Sequence, residues 1–215
     1  MNCFKTAGGR GFYIGHIQSR KGRAYAGLSV RQKRALHNVL LQEQGCVCCY
    51  CGAPLGMVKH GRVRQGLLRS NRPGNVRVAH PRPRDPAMDY DNICLSCAAG
   101  PGEEPHCAAS QGGRALPVSP AQADCLSFFA FGTDGSIYPN PNRTAQEQEM
   151  ARETIEILGL DSKGLRQKRA AILKYVHQCL LGDRGFLSRL TRRDGSSCHL
   201  PFYFAALSYY GRRKA

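Results

Sequence analysis

The sequence lacks the features that would place it in or across a membrane. No apolar run approaches the length of about 18 residues that a membrane-spanning helix requires, and no segment resembles a secretory leader. Internal repeats, low-complexity tracts and a Walker nucleotide-binding motif are absent as well. We therefore expect a cytoplasmic protein without a membrane partner, in which any nucleotide-driven step belongs to a partner protein.

Acidic residues are scarce. The chain has 15 Asp and Glu against 31 Lys and Arg, which gives a formal net charge of +16. The stretch from Gly56 to Arg84 has no acidic residue and carries these basic ones: Lys59, Arg62, Arg64, Arg69, Arg72, Arg77, Arg82 and Arg84. Such an excess indicates a polyanionic partner such as nucleic acid, although a merely solvated basic face is the simpler alternative.

Cysteine is abundant, with 11 residues in 215. A disulfide scaffold is expected in short secreted chains, so this longer chain without a leader favours a reducing compartment and metal ligation. We expect the scattered cysteines to be buried, inert thiols; these are Cys3, Cys125, Cys179 and Cys198. A redox or transfer enzyme that uses Cys46, Cys48 or Cys49 is a further alternative.

The remaining cysteines have the spacing of a zinc site. Cys48-x-x-Cys51 is a C-x-x-C knuckle, and Cys94-x-x-Cys97 repeats the spacing, while Cys107 follows further along. Structural zinc takes four such ligands in a tetrahedron. The spacing therefore predicts a zinc site with Cys48 and Cys51 as its first pair, and it leaves open which cysteines form the second pair.

Two histidines, His60 and His80, lie between the cysteine pairs, and only His80 is followed by the pattern His-x-x-Pro-basic. His80 lies near the end of the basic stretch and follows a candidate strand, and Asn92 comes shortly before Cys94. Imidazole titrates near neutral pH, which suits a general base that deprotonates an attacking water. A lone histidine is more often structural, but this context makes His80 a candidate catalytic base, with Asn92 positioned to orient its ring.

Local patterns predict the helices around this segment. Ser29 and Thr144 each begin a capping box, which predicts helices that start there, and the second helix should end near Gly159. A third helix is predicted from about Ser162 to Leu181. Its apolar stripe consists of Leu165, Ile172, Leu173, Val176 and Leu180.

The strand signals are shorter. We expect the segments around Val63 and around Val76–Val78 to form a hairpin with a turn at residues 72–75. Another strand is expected over residues 126–131, followed by a turn at residues 133–135. The predicted organisation is a basic N-terminal segment with an entry helix (1–45), a zinc-binding core (46–115) and a mainly helical region packed on that core (116–215).

The order of the motifs resembles that of a known group. The sequence runs Cys48-x-x-Cys51, His80-x-x-Pro83-Arg84, Tyr90-x-Asn92-Ile93, Cys97, His106-Cys107 and Gly112. Similar flanking motifs are Leu40-Leu41-x-Glu43-Gln44-Gly45, Phe131-x-x-x-Gly135-x-Ile137, and Thr154-Ile155-x-x-Leu158-x-Leu160 with Arg169 beyond it. This order is similar to that of HNH (ββα-metal) nucleases, and more narrowly to the retron- and Septu-associated nucleases of bacterial anti-phage defence, the PtuB type.

The resemblance implies a fold and an activity. The fold would be α+β, with a zinc-anchored ββα-metal core, an N-terminal helix and a mostly helical C-terminal region. His80 would be the general base, Asn92 would position it, and Mg²⁺ or Mn²⁺ would stabilise developing charge. Arg82 and Arg84, with Arg77 beside them in the basic stretch, would hold phosphate.

The resemblance also implies ligands and partners. It selects Cys97 and Cys107 as the second zinc pair, with Cys94 as the alternative and otherwise a buried thiol. The protein would be the effector of a defence system that cuts DNA or tRNA and works with an ABC- or SMC-like ATPase of the PtuA type.

The sequence departs from that pattern at the catalytic metal. Ala79 stands where an acidic ligand usually precedes the histidine, Ala108 and Ala109 occupy the helix that usually carries an Asn or His, and Gln111 replaces a usual Lys. Methyl groups cannot coordinate Mg²⁺. Candidate replacement ligands are Asp85, Asp89, Asp91 and His106. The alternative function is a degenerate member, a zinc-stabilised nucleic-acid-binding adaptor that does not cut.

Overall fold

A computed structural model describes residues 25–55, 58–59, 62–63, 76–79, 90–100 and 102–182. Its helices are α1 (Val30–Glu43), α2 (Ala108–Gln111), α3 (Ala145–Leu158) and α4 (Lys163–Gly182). Its strands are β1 (Val58–Lys59), β2 (Arg62–Val63), β3 (Val76–Ala79), β4 (Cys94–Cys97), β5 (Phe129–Phe131) and β6 (Ile137–Pro139). Short 3-10 helices cover Tyr25–Gly27, Tyr90–Asn92 and Cys125–Phe128. The fold is therefore mixed, with helices and small sheets, as expected.

The described strands form three antiparallel pairs, β1–β2, β3–β4 and β5–β6. In the first pair Val58 lies opposite Val63, and in the second Val78 lies opposite Leu95. The predicted hairpin of Val63 with Val76–Val78 is therefore wrong, because each segment pairs with a different neighbour. The turn predicted at residues 133–135 does join two paired strands, β5 and β6.

The predicted helix starts are confirmed. Ser29 accepts a hydrogen bond from the backbone N–H of Gln32, whose side chain accepts one from Ser29 in return. Thr144 and Glu147 make the same reciprocal bonds at the start of α3, and Gly159 ends that helix in the left-handed conformation. Each box satisfies two N–H groups that a helix start would otherwise leave without partners.

One hydrophobic core runs through the described part of the chain. It contains Leu36 and Leu40 of α1, Leu95 of β4, Leu158 of α3 and Leu173 of α4. The cysteine knuckles join the same core, so the helices on either side of the predicted zinc-binding segment pack against it. None of the described helices is both long enough and apolar enough to cross a membrane.

Candidate functional site

Four buried cysteines converge where the middle of the chain meets the C-terminal helices. We call Cys48, Cys51, Cys97 and Cys107 the four-cysteine site; their sulfur atoms all lie within 4.8 Å of one another. The Sγ atoms of Cys48 and Cys107 are 3.9 Å apart, and those of Cys51 and Cys97 are 3.5 Å apart. A zinc tetrathiolate with Zn–S bonds of about 2.3 Å has sulfur–sulfur edges of about 3.8 Å, so the donor set fits zinc.

The first knuckle is shaped by backbone bonds to its own sulfurs. The backbone N–H of Tyr50 points to Cys48 Sγ at 3.5 Å, and that of Ala53 points to Cys51 Sγ at 3.4 Å. Gly52 has a φ of +76°, which lets the chain turn back so that its N–H bonds the carbonyl of Cys48 at 3.0 Å. Donors aimed at the sulfurs stabilise their negative charge, so the turn favours the thiolate form that a metal needs.

The second pair comes from the end of β4 and the start of α2. Ser96 is fully buried, and its Oγ accepts a hydrogen bond from the backbone N–H of Ala108 at 3.2 Å, which ties β4 to α2. Cys107 has φ 57° and ψ −132°, a region that non-glycine residues rarely occupy. Its N–H bonds the carbonyl of Leu158 in α3 at 2.7 Å. The packing of α3 therefore holds this ligand in a strained conformation.

Cys94 lies outside the four-cysteine site. It is buried in β4 opposite Ala79 and neighbours the Cys49 thiol. Burial raises the pKa of Cys49, and hydrogen bonding to Cys48 and Cys94 raises it further. A buried thiol with a raised pKa is a poor nucleophile, which argues against Cys49 as the reactive residue of a cysteine-based enzyme.

The other cysteines meet the sequence expectations only in part. Cys125 is buried and Cys179 is half-buried, both as free thiols, while Cys3 and Cys198 lie outside the described residues. Cys46 is disulfide-bonded, which does not fit the expectation of a reduced chain.

The end of helix α1 is hydrogen-bonded to β4, the strand that contains Cys97. Gln44, at the end of α1, accepts a hydrogen bond from the N–H of Leu95 at 2.7 Å and donates one to its carbonyl at 2.8 Å. Its side chain thus pairs with β4 as a neighbouring strand would. Glu43 is also buried and accepts a hydrogen bond from the Tyr90 hydroxyl. These contacts explain why a Glu-Gln-Gly sequence precedes the first knuckle.

The predicted active-site residues are placed unevenly. Asn92 is 1% exposed and ends the 3-10 helix directly before β4, and Asp91 lies in the same short helix. Arg77 is exposed on β3 opposite Ser96. The residues His80, Arg82, Arg84, Asp85 and Asp89 lie outside the described residues.

His106 lies against the four-cysteine site. Its Nδ1 is 3.3 Å from Cys107 Sγ and 3.7 Å from Cys97 Sγ, and its side chain is almost completely buried. Within the described ranges, the four-cysteine site is the only group of three or more His, Cys, Asp or Glu side chains that could hold a metal ion.

The positions that depart from the nuclease pattern differ in their surroundings. Ala79 is buried opposite Cys94, and Ala109 is exposed. Ser110 donates to the carbonyl of Ile157, and Gln111 accepts a hydrogen bond from the Tyr50 hydroxyl at 3.0 Å. The polar side chains of α2 thus hold the helix against α3 and the first knuckle.

Arg169 is a buried residue whose role the sequence analysis missed. It is 2% exposed, and it donates to the carbonyls of Gly135 at 2.6 Å and Leu160 at 2.8 Å. It lines a cavity of about 50 Å³ together with Cys51, and its Nη2 has no hydrogen-bond partner. Burial lowers the pKa of Arg169 to about 10, while Cys51 and Asp161 favour its charged form. A zinc ion held by four thiolates would leave two net negative charges, which this guanidinium would partly offset.

The sequence held a signal for Arg169. It lies four residues after Leu165 and four before Leu173, so it falls within the apolar stripe of α4, where an arginine is unexpected.

No protein-family model matches the sequence. The chain is 26% identical over 183 residues to a protein of Vibrio cholerae serotype O1 biovar El Tor named "Retron Vc95 putative HNH endonuclease", and the alignment covers 84% of this chain and 83% of that protein. The similarity thus extends well beyond the cysteines, and it supports the likeness to HNH nucleases that the order of the motifs indicates.

Proposed function

We propose that this protein is a metal-dependent HNH endonuclease that hydrolyses phosphodiester bonds of nucleic acid. The observation that carries the proposal is the arrangement of the four-cysteine site around β3, β4 and α2, in the order strand, strand, helix. Ala79, the last residue of β3, pairs with Cys94, the first residue of β4. In the sequence His80 follows Ala79, and Asn92 lies two residues before Cys94.

The proposed roles follow from the chemistry of hydrolysis. Water attacks the phosphorus, the bond to the leaving oxygen breaks, and a base must take the proton that the water loses. In this proposal His80 is that base, and Asn92 positions it. A bound divalent cation, Mg²⁺ or Mn²⁺, supplies charge stabilisation at the phosphate. The ligands for that cation are sought among Asp85, Asp89 and Asp91.

The four-cysteine site has a structural role in this proposal. All four sulfurs are buried and no position is left open for substrate, which is the arrangement of structural zinc rather than catalytic zinc. A zinc ion held there would join the first knuckle to β4 and to the start of α2. It would thereby fix the relative positions of these elements.

Nuclease assays test the proposal. Labelled DNA and tRNA are incubated with the full chain and Mg²⁺ or Mn²⁺, and cleavage is followed on gels. We expect His80→Ala to lower the rate by about 10²–10⁴-fold, the usual contribution of a general base. His177→Ala is the matched control, since His177 is an exposed histidine on α4. Equal cleavage by wild type and His80→Ala would sink the assignment.

A second candidate function is a non-cutting adaptor that binds nucleic acid through the basic excess. The occupation of α2 by Ala108, Ala109 and the engaged Gln111 favours it, because this helix offers no metal ligand. If the protein is an adaptor, the logarithm of its binding constant for nucleic acid should fall linearly as the logarithm of the salt concentration rises. It should show no cleavage that depends on a divalent cation. Divalent-dependent cleavage by the wild type eliminates it. Ala109→Asn places an amide oxygen on the exposed side of α2, and cleavage gained only by that variant supports degeneracy.

We further propose a cytoplasmic defence role. The similarity to a retron-named protein and the PtuB-type order of motifs support a retron- or Septu-like system with a PtuA-like ATPase partner. The expected result is loss of phage protection when His80→Ala replaces the wild type in cells that carry the complete system. Protection that survives this change, with both proteins at equal levels, contradicts a cutting effector.

A further inference from the structure

A chain of three side chains runs from helix α4 to the four-cysteine site. Lys168 of α4 donates a hydrogen bond to Glu103 Oε1 at 2.6 Å. The other oxygen, Glu103 Oε2, lies 3.6 Å from Nε2 of His106. On its opposite side the His106 ring presents Nδ1 to Cys107 Sγ at 3.3 Å and to Cys97 Sγ at 3.7 Å. We call Lys168, Glu103 and His106 the His106 chain.

The His106 ring lies between two kinds of acceptor. A carboxylate lies on one side and two sulfurs lie on the other, and thiolates that bind a metal remain hydrogen-bond acceptors. His106 itself is 4% exposed, so its contacts are shielded from water. A buried N–H that points at metal-bound sulfur fixes the ligand's direction and lowers the charge that the metal site must bear.

Glu103 has two hydrogen-bond partners besides its contact with His106. Its Oε2 accepts the backbone N–H of Gly100 at 3.0 Å, and Lys168 holds the other oxygen. The Lys168 hydrogen bond, followed by the Gly100 N–H, lowers the pKa of Glu103 to about 2, so the carboxylate is charged at neutral pH. The Glu103 side chain is 37% exposed, and an exposed pair of this kind adds little stability. The contacts of Glu103 therefore contribute more to the orientation of His106 than to the free energy of folding.

We propose that His106 is a positioning residue of the four-cysteine site that donates from both ring nitrogens, from Nδ1 to the Cys97 and Cys107 sulfurs and from Nε2 toward Glu103, and that Lys168 holds Glu103 in place. His106 then has both ring nitrogens engaged and is unavailable as a ligand for the catalytic cation. The C-terminal helix α4 thereby acts on metal retention although it contributes no ligand. This inference rests on the part of the proposed function that assigns zinc to the four cysteines; it does not require nuclease activity.

Zinc affinity of the full chain tests the inference. A chromophoric chelator competes for zinc with wild type, His106→Leu and His106→Asn. Leucine fills similar space without a donor, whereas the asparagine amide places an N–H near the position of Nδ1. We expect His106→Leu to weaken zinc binding about 10- to 100-fold, as loss of such partners generally does, and His106→Asn to restore most of it. Equal weakening by both variants would indicate packing alone and overturn the donor role.

The outer residues of the chain have matched controls. Lys168→Met is compared with Lys163→Met on the same helix, and Glu103→Gln is compared with Glu149→Gln, whose carboxylate pairs with Arg152. We expect faster zinc release from the Lys168 and Glu103 variants than from their controls, by a smaller factor than for His106→Leu. Identical release from variants and controls overturns the orienting role of Glu103 and Lys168.

Replacing zinc with cobalt gives an absorption band that reports on hydrogen bonds to the sulfurs. A purely structural role of His106 would leave the position of that band unchanged. Hydrogen bonds to a thiolate stabilise its electrons, so removing one shifts the sulfur-to-cobalt charge-transfer band to longer wavelength. We expect this shift in Co²⁺-loaded His106→Leu and not in His106→Asn. Unshifted bands overturn the inference alone, whereas a wild-type chain that binds neither zinc nor cobalt overturns the zinc assignment as well.

Discussion

Arg169 is the buried cation that joins three parts of the fold. Its guanidinium donates to the carbonyl of Gly135 in the β5–β6 turn and to that of Leu160 after α3, and it lies 3.7 Å from an Asp161 oxygen. The ring of Phe131 is 6.0 Å away. Because a guanidinium has donors on separate nitrogens in one plane, its Nε and Nη1 serve the two carbonyls at once, whereas an ammonium would have to reach both from a single nitrogen.

We expect Arg169→Met to destabilise the zinc-loaded protein by about 3 kcal/mol, because two buried carbonyls lose donors at about 1–3 kcal/mol each. Urea unfolding followed by circular dichroism measures the change. Arg166→Met is the control; Arg166 is exposed and paired with Asp161, and such a pair is worth about 0–1 kcal/mol. Arg169→Lys should fall between the two. Equal unfolding midpoints for Arg169→Met and Arg166→Met would show that the buried contacts carry no stability.

At the level of elements, the β5–β6 turn approaches α4 without room for a side chain. A Cβ added to Gly135 would lie 2.1 Å from the carbonyl oxygen of Arg166 and 2.7 Å from the backbone nitrogen of Ala170. Gly135 also has a φ of +80°. The turn and the helix are therefore in backbone contact, and this contact is what brings the Gly135 carbonyl within reach of Arg169.

Gly113 offers a matched comparison. Its φ is +83°, and a Cβ added there meets nothing within 4 Å. Gly113→Ala should therefore cost only the conformational strain of about 1–2 kcal/mol, whereas Gly135→Ala should cost about 1–3 kcal/mol more through overpacking. Thermal unfolding of both variants measures the difference. If the two alanines proved equally costly, the close approach of turn and helix would be refuted.

The elements also show which parts of the fold the sequence can reveal. The helix starts at Ser29 and Thr144 were predictable because a capping box involves residues only three apart, and the end at Gly159 follows from one residue's conformational freedom. Strand partners were not predictable in the same way. Val78 pairs with Leu95, which is distant in the sequence, and nothing in the sequence near Val63 excludes the shorter hairpin.

The candidate site divides in the same way. Spacing alone predicted Cys48 and Cys51, but the choice of Cys107 over Cys94 required the motif order, because alternate residues of β4 face opposite ways only once the strand is formed. His106 was noticed, yet its direction depends on Glu103 and on Lys168 of a distant helix. Contacts between residues far apart in the sequence leave no local pattern.

For the molecule as a whole, the four-cysteine site links segments that local contacts alone join weakly. Each described sheet has only two strands, and α2 has four residues. Neither a two-stranded sheet nor so short a helix is stable by itself. The core residues of α1, α3 and α4 meet around the cysteines. Four thiolates in that core would repel one another and take up protons, so only a bound cation would let all four sulfurs stay charged.

Metal removal should therefore unfold more than the knuckles. Structural zinc binding is worth about 10–16 kcal/mol in small zinc domains, and the chain loses that free energy when a chelator removes the ion. We expect EDTA to lower the denaturant midpoint sharply and to reduce the ellipticity of the helices, with recovery on adding Zn²⁺ but not Mg²⁺. Cys107→Ser should behave like the chelated protein, whereas Cys179→Ser, which alters a half-buried thiol outside the site, should retain both metal and midpoint. A chelated wild type that unfolds at its original midpoint would mean that packing around Leu95 and Leu158 suffices, and that the four sulfurs do not hold the fold together.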